Sequence, residues 1–344
     1  MTNAIDTSKE ESQQDVAKRR ASGEFVRGVS KFRDVIGESE DFPAEPGRYH
    51  LFVALNCPWC HRVTLAREVL GLTHSVSLDI AYPNRTDEDD PAGSNFWHFA
   101  PDKASPLTGE PLPECTEETA TEQNLRLVPE IYALEGSEER SVPILYDKKT
   151  KRIVSNESSE IVRMFGLQAD ALGAEGDVPD LYPQGDENAA LRSEIDELND
   201  YVYVHINNGS YKAGFSSDQS VYDSAFEKYF AALGELETRL ASDDRPFLTG
   251  DRFTEADLRL FPTLFRHDPV YYVRMKLNGA RVLDYPHLWR WLCRVYALPG
   301  VAESGSLIHC RQGYFGRTWN RTIPAGPMRP MSYPEAYRHP TLAE

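Results

Sequence analysis

The stretch "YHLFVALNCPWCHRVTLAREVLG", residues 49–71, decides the fold of the first part of the chain. It opens with an apolar, β-rich run, after which apolar residues recur at helical spacing. Pro58 suits the first turn of a helix, and Gly71 suits its end. A further apolar run, "HSVSLDIAY", follows at residues 74–82. The pattern therefore predicts a β-α-β unit with two parallel strands and a crossover helix.

Cys57 and Cys60 stand where the predicted strand meets the predicted helix. Buried inert thiols are the ordinary alternative, and a zinc site would need further ligands at short spacing, which the chain does not offer. A cysteine at a helix start meets unpaired N–H groups, which can lower its pKa to about 3.5–7.5. We therefore predict Cys57 as a nucleophile, Cys60 as a possible resolving thiol, and no metal. A C-x-x-C pair in this position is typical of thioredoxin-like redox proteins.

The composition divides the chain into four segments. The linker "GDVPDLYPQGDE", at residues 176–187, marks the main boundary, because Pro, Gly and Asp cluster there. The predicted segments are an extended N-terminal arm (1–45), an α/β domain (46–180) with a long insertion near 83–124, an all-helical domain (188–310) and an extended C-terminal tail (311–344).

The charge is strongly negative, at −17, from 54 acidic and 37 basic residues. Only 10 of the basic residues are lysines, and an acid-rich, lysine-poor balance is typical of halophilic proteins, although an ordinary acidic protein is the alternative. The charge argues against a nucleic-acid partner, which needs a basic surface. No apolar run approaches the roughly 20 residues of a membrane span, and the N-terminus lacks a secretory pattern. We expect a soluble cytoplasmic protein with free thiols.

Two short motifs suggest how a ligand would be held. "SVPIL" places Val142-Pro143 before a strand, where thioredoxin-like folds commonly have a cis proline that presents backbone groups to a peptide-like thiol. From the residues alone, a trans proline is the default. "NESS" places Glu157 and Ser158 at a helix start, whose N–H groups can bind a carboxylate, although a simple N-cap is the alternative.

Together these stretches resemble the Xi class of glutathione transferases, the glutathionyl-hydroquinone reductases. The resemblance runs from about residue 47 to residue 327 and rests on "RYHLFVALNCPWCHR", "SVPILYDKKTKRIVSNESSEIVRMF", "NNGSYKAGF", "FLTGDRFTEADLRLF" and "NRTIPAGP". It implies a thioredoxin-like α/β N-terminal domain followed by an all-α C-terminal domain, usually in a homodimer.

The resemblance also implies roles for individual residues. Cys57 resembles the catalytic thiol, whereas the family usually has Ala at the position of Cys60. The residues that resemble the substrate-facing tyrosines are Tyr211, Tyr271 and Tyr314. Those that resemble the thiol-peptide site are Trp97, Arg126, Val142, Pro143, Glu157 and Ser158.

The function implied is thiol-dependent reduction of thiol-peptide-conjugated hydroquinones, with a mixed disulfide on Cys57 and release of hydroquinone and a disulfide. Glutathione or γ-glutamylcysteine would be the co-substrate, and an aromatic hydroquinone conjugate the other partner. One alternative is a glutaredoxin-like oxidoreductase that cycles the Cys57/Cys60 pair. Another is a thiol-peptide-binding or redox-sensing protein without turnover. The tyrosine-bearing stretches favour the first function, because a disulfide reductase needs no large aromatic pocket.

Overall fold

A mixed sheet forms the centre of the part of the chain that precedes the linker. The computed structural model describes residues 19–243, 245–316 and 320–324. The strands are β1 (Tyr49–Val53), β2 (Ser77–Ile80), β3 (Ile144–Asp147) and β4 (Arg152–Ser155). They lie in the order β2-β1-β3-β4, and β1 is parallel to β2 and antiparallel to β3. The parallel pair confirms the predicted β-α-β unit, and the fold as a whole is the predicted α/β part followed by helices.

The helices of the sheet-bearing part are α1 (Pro58–Val69), α2 (Val128–Ala133) and α3 (Ser158–Leu167). Every residue of β1 is buried, and so are most residues of α1. Burial on all sides explains why the deciding stretch is almost continuously apolar. Cys57 is the N-cap of α1, and its extended backbone turns the chain from strand to helix.

The N-terminal arm runs along the outer edge of β4. The N–H of Asp34 donates to the carbonyl of Val154 at 2.9 Å, and the N–H of Asn156 donates to the carbonyl of Phe32 at 3.0 Å. Ile36 is buried in the same core as the sheet. The arm therefore belongs to the sheet's core rather than lying outside it, while its first 18 residues lie outside the described residues.

The segment between β2 and α2 is irregular, and side-chain hydrogen bonds together with isolated backbone bridges hold it in place. The carboxylate of Asp79 accepts hydrogen bonds from the N–H and hydroxyl of Thr119. The carboxylate of Glu118 accepts from the N–H groups of Ala120 and Thr121. A backbone hydrogen bond from the N–H of Val128 to the carbonyl of Trp97, at 3.0 Å, ties Trp97 to the start of α2.

The chain after the linker is helical. Its main helices are α4 (Ala189–Val202), α5 (Asn208–Phe215), α6 (Gln219–Ala241), α7 (Glu255–Arg266), α8 (Pro286–Tyr296) and α9 (Leu307–Phe315). Wider π-helical turns at Tyr203–Asn207 and His267–Tyr271 extend α4 and α7. Among the described residues, none of these helices is long and apolar enough to cross a membrane.

The prediction that the chain is extended from Arg311 onwards is wrong for its first residues, because α9 runs to Phe315. The sequence shows no helical period there, since both polar and apolar residues from His309 to Phe315 are buried. The helix begins at the cap Ser306, whose hydroxyl accepts the N–H of His309. Of the remaining tail, only residues 320–324 are described.

A capping box with a buried carboxylate begins α7. The carboxylate of Asp257 accepts the N–H of Thr254 at 3.0 Å, in the acidic form of a capping box. The same carboxylate accepts the N–H of Leu248 at 2.9 Å and the indole N–H of Trp291 at 2.7 Å. One buried side chain thereby joins the start of α7 to α8 and to the preceding loop.

Candidate active site

A cavity of about 310 Å³ opens where the start of α1 meets α5 and α9. It is lined by Arg27, Asn56, Cys57, Trp59, Arg85, Trp97, Ser141, Val142, Tyr211, Phe215, Arg274, Gly313 and Tyr314. The arm, the irregular segment, the sheet and the helical part all contribute to this wall. Of the residues predicted for the site, the structure brings Cys57, Trp97, Val142, Tyr211 and Tyr314 together here.

Cys57 carries an acidic thiol. Burial alone would raise its pKa, but the hydrogen bond from the Cys60 thiol outweighs burial, together with the N–H groups of the first turn and the Arg27 guanidinium. The result is a pKa lowered to about 6, so the thiolate dominates at neutral pH. Such a thiolate is a ready nucleophile towards sulfur.

Cys60 has the opposite character. Its thiol is fully buried and accepts the N–H of Ala54 at 3.3 Å. Burial and the hydrogen bond with Cys57 raise its pKa well above the ordinary value. Cys60 is therefore a protonated donor to the thiolate of Cys57 in the reduced protein.

A buried arginine lies beside the backbone of Cys57. Arg266, at the end of α7, is fully buried and donates to the carbonyls of Leu55 and Pro262, both at 2.8 Å. Within the described residues it forms no ion pair with an acidic side chain, and its remaining contacts include the carbonyl of Cys57 and the ring of His61. It thus places a positive charge beside the segment from Leu55 to Cys57 and ties that segment to the helical part.

The predicted tyrosines form a chain of hydroxyl groups. The hydroxyls of Tyr211 and Tyr314 both reach the cavity wall and are 2.7 Å apart. Tyr271 does not line the cavity; it lies behind Tyr314, with 3.1 Å between the two hydroxyls. Burial raises the pKa of Tyr211 to about 12 and those of the other two tyrosines as well. All three hydroxyls are therefore protonated at neutral pH and able to donate.

The opposite wall carries the predicted peptide-binding segment. The bond between Val142 and Pro143 is cis, so the default expectation of a trans proline is wrong. The carbonyl oxygen of Val142 lies 3.9 Å from the sulfur of Cys57. Trp97 also lines the cavity, and its backbone carbonyl accepts the N–H of Val128 at 3.0 Å.

Glu157 and Ser158 lie at the start of α3, outside the cavity wall. The carboxylate of Glu157 accepts from the N–H of Ser159 at 3.1 Å and from the hydroxyl of Ser30 at 2.9 Å. Burial would raise its pKa, but the charge of Arg27 and these donors lower it. The hydroxyl of Ser158 is buried without a hydrogen-bond partner among the described residues.

Arg126 is a further predicted site residue that does not line the cavity. Its guanidinium binds the carboxylate of Asp90 in the irregular segment, with contacts of 2.6 and 2.8 Å, and nearly half of its side chain is exposed. The sequence could not reveal this pairing, because Asp90 lies in a segment without regular structure whose path is not encoded by any period.

The sequence analysis missed the arginines of the cavity. Each lies against an aromatic ring, with distances from guanidinium carbon to ring centroid of 3.7 Å for Arg27 over Trp59, 4.5 Å for Arg85 over Trp97, and 5.3 Å for Arg274 over Phe215. They come from the arm, the irregular segment and the short helix Tyr272–Arg274 that follows the π-helical turn after α7. No local sequence motif predicts these arginines. Only Trp59, the ring that contacts Arg27, belongs to a motif, the CPW motif.

Comparison with known proteins agrees with this geometry. Residues 56–168 match the model of the glutathione S-transferase N-terminal domain, and residues 219–294 match that of the C-terminal domain. The chain is 38% identical to glutathionyl-hydroquinone reductase YqjG from Escherichia coli, over 92% of this chain and 93% of that protein. It is 36% identical to glutathionyl-hydroquinone reductase PcpF from Sphingobium chlorophenolicum, over 91% of this chain and 93% of that protein.

Solved structures give the same result. The glutathione transferase Xi from Phanerochaete chrysosporium superposes with a TM-score of 0.76 at 35% identity, over 90% of this chain and 94% of that one. The glutathione-bound structure of YqjG gives a TM-score of 0.74 at 38% identity, over 86% of this chain and 92% of that one. Since sequence and structure both match over most of its length, the chain belongs to the Xi class of glutathione transferases.

Proposed function

We propose that this protein reduces glutathionyl-hydroquinones, or the equivalent γ-glutamylcysteine conjugates, to free hydroquinones at the expense of a second thiol. The observation that carries the proposal is that one cavity holds both the acidic thiol of Cys57 and the neutral hydroxyls of Tyr211 and Tyr314. Two relatives of the chain are named glutathionyl-hydroquinone reductases, which supports the same reaction.

Binding would place the peptide part of the conjugate along the wall that holds Val142. Backbone groups before the cis proline suit an extended peptide, and the unpartnered hydroxyl of Ser158 suits the γ-glutamyl carboxylate at the start of α3. Glu157, held ionised, would accept the α-ammonium group. The sulfur of the conjugate would then lie beside Cys57, and its ring beside the tyrosines.

In the first step the Cys57 thiolate attacks the sulfur of the thioether. An S–S bond forms and the carbon–sulfur bond breaks, so the electron pair of that bond stays with the ring carbon. That carbon takes a proton, most directly if the ring reacts as its keto tautomer. The hydroxyls of Tyr211 and Tyr314 would hydrogen-bond to the ring oxygens and favour this tautomer. The products are the hydroquinone and a mixed disulfide on Cys57.

In the second step a thiolate restores the enzyme. A second thiol-peptide attacks the peptide sulfur of the mixed disulfide, which releases the symmetrical disulfide and the Cys57 thiolate. Cys60 is a poor competitor for this step, because it is buried and its pKa is raised. The contact between the two thiols is nevertheless the observation that favours the glutaredoxin-like alternative, in which Cys60 resolves the mixed disulfide.

Turnover of glutathionyl-hydroquinone with excess glutathione, followed by release of hydroquinone, tests the proposal. We expect Cys57→Ala to lose nearly all activity, since no other thiol lines the cavity among the described residues, and Cys60→Ala to keep a substantial part. Equal loss in both variants would favour the alternative. A wild-type protein that reduces small disulfides but no hydroquinone conjugate would rule the proposal out.

The same assay separates the role of the tyrosine hydroxyls from that of their rings. Tyr211→Phe and Tyr314→Phe should each lower hydroquinone release by about 10- to 100-fold, because a positioned acid typically contributes about 10²–10⁴ and the other hydroxyl remains. Both variants should still reduce a small disulfide at the wild-type rate, since that reaction has no ring to protonate. Unchanged hydroquinone release in both would make these tyrosines structural.

A further inference from the structure

The cavity is cationic although the protein as a whole carries a charge of −17. Arg27, Arg85 and Arg274 line it, and the described part of its wall includes no acidic side chain. A guanidinium in a partly desolvated cavity gains most from an anion that it can pair with. The cavity is therefore built for a negatively charged ligand, and the three arginines differ in which part of a conjugate they would meet.

Arg274 lies on the side of the cavity that belongs to the ring of the substrate. Its Nε donates to the carbonyl of Tyr314 at 3.1 Å, which fixes the guanidinium beside that residue. Its guanidinium lies over Phe215, and burial lowers its pKa, as expected for a cation that is partly removed from water. Its two terminal nitrogens form no ion pair with an acidic side chain of the described residues.

Arg85 lies on the other side. Its guanidinium is over Trp97 and donates to the side-chain oxygen of Asn95. Trp97 and Val142 form the wall that we assign to the thiol-peptide. An anion near Arg85 would therefore belong to the peptide, whereas an anion near Arg274 would belong to the aromatic part.

From these positions we infer that Arg274 selects hydroquinone conjugates whose ring carries a carboxylate. The inference rests on the proposed function and names the substrate class of the same site. The ring would contact Phe215 and the tyrosine hydroxyls, and its carboxylate would accept hydrogen bonds from the terminal nitrogens of Arg274, a pairing in which the planar guanidinium binds both oxygens.

The test compares two conjugates of nearly equal shape, glutathionyl-gentisate and glutathionyl-gentisamide, which differ in a carboxylate against a carboxamide. The measured quantity is the ratio of their kcat/KM values, in which any general loss caused by a shift of Tyr314 cancels. A hydrogen-bonded charged group is worth about 1.5–3 kcal/mol, so the wild-type ratio should be about tenfold or more in favour of the carboxylate. Arg274→Gln should bring the ratio close to unity.

Two further variants sharpen the result. Arg274→Lys keeps the charge but not the planar pair of donors and should retain only part of the preference. Arg85→Gln is the matched control, because it removes another ring-stacked arginine from the same cavity; it should lower kcat/KM for both conjugates and leave their ratio at the wild-type value. Because the ratio in the wild type is itself a test, the inference does not depend on every variant folding.

The inference is overturned by a wild-type ratio near unity, by an Arg274→Gln ratio equal to that of the wild type, or by an equal fall in the ratio for Arg85→Gln. If plain glutathionyl-hydroquinone is reduced and neither gentisyl conjugate is, the inference fails while the proposed function stands. If no hydroquinone conjugate is reduced, both fail.

Discussion

Cys57 and Cys60 belong to one motif, yet their thiols differ in protonation because the two residues occupy different positions at the start of α1. The sulfur of Cys57 meets N–H groups of the first turn and a hydrogen bond from its neighbour, and its pKa falls to about 6. Cys60 is enclosed by apolar groups one turn later, and its pKa rises. The position of Cys57 at a helix start predicted the direction of this difference, but the hydrogen bond from Cys60 and the charge of Arg27, which also lower the pKa, were not predicted from the sequence.

The first prediction concerns the pH dependence of this thiol. Because the pKa of Cys57 is lowered, the thiolate predominates above about pH 6 and is lost as the pH falls through that value. The rate of modification by iodoacetamide should therefore rise with a midpoint near pH 6, with Cys57 alone labelled in the native protein, as read by peptide mass spectrometry. The other four cysteines are buried and should react only after unfolding.

A matched pair of variants checks the cause. Arg27→Gln should move the midpoint to higher pH, because its guanidinium is among the groups that stabilise the thiolate. Arg85→Gln removes a charge from the same cavity but is not among those groups, and should leave the midpoint in place. A wild-type midpoint near 8.5, the value of an unperturbed cysteine, would contradict the electrostatic account.

Other residues of the site were beyond prediction from the sequence. The roles of Val142 and the tyrosines rested on family resemblance, and those roles remain predictions even though the structure brings most of these residues to one cavity. Arg27 and Arg274 lie about 250 residues apart in the sequence, and only the packing of the arm and the helices brings both to the cavity. A local sequence pattern cannot predict that two residues so far apart in the chain line the same cavity.

The secondary-structure elements differ in how well their sequences predict them. Helix α1 follows an apolar period at helical spacing and was predicted close to its observed bounds, between Pro58 and Gly71. Helix α5 contains two glycines and an asparagine, which are weak helix formers, and it is stabilised by packing against α6. Helix α9 is buried on all sides, so no contrast between faces was visible.

The start of α7 gives the second prediction. Asp257→Ala removes the shared acceptor of the N–H groups of Leu248 and Thr254 and of the indole of Trp291. Each buried donor left unpaired costs about 1–3 kcal/mol, so the free energy of unfolding should fall by about 3 kcal/mol or more. Urea denaturation followed by circular dichroism measures it.

The control is a second capping carboxylate in a different setting. Asp218 caps α6 by accepting the N–H groups of Ser220 and Val221, but it is exposed to water. Asp218→Ala should therefore destabilise the protein less than Asp257→Ala, because water replaces the lost acceptor. Equal losses would mean that burial of the Asp257 donors does not decide its contribution.

At the scale of the whole molecule, the net charge of −17 predicts a dependence on salt. Like charges on the surface repel one another, and salt screens that repulsion as the Debye length falls from about 10 Å at 0.1 M to about 3 Å at 1 M. We therefore expect Tm to rise between dilute buffer and molar KCl, as measured by scanning calorimetry. Near the isoelectric pH, where repulsion is weakest, the same addition of KCl should change Tm much less.

If Tm at neutral pH does not change with the KCl concentration, the composition is that of an ordinary acidic protein rather than a halophilic one. The homodimer that the family resemblance implies, like halophily and a cytoplasmic location, stays a prediction, because a single chain shows none of them. Light scattering, which measures the mass of the protein in solution, tests whether the protein is a homodimer.

The buried guanidinium of Arg266 has a consequence for how such proteins can change. It supplies the donors for the carbonyls of Leu55 and Cys57 from a helix that lies about 210 positions further along the chain. If the helical half were exchanged for that of another transferase, those carbonyls would lose their partner and the nucleophile would lose a neighbouring cation. The two halves are therefore not interchangeable modules, and any recombination that keeps the chemistry must carry this arginine with it.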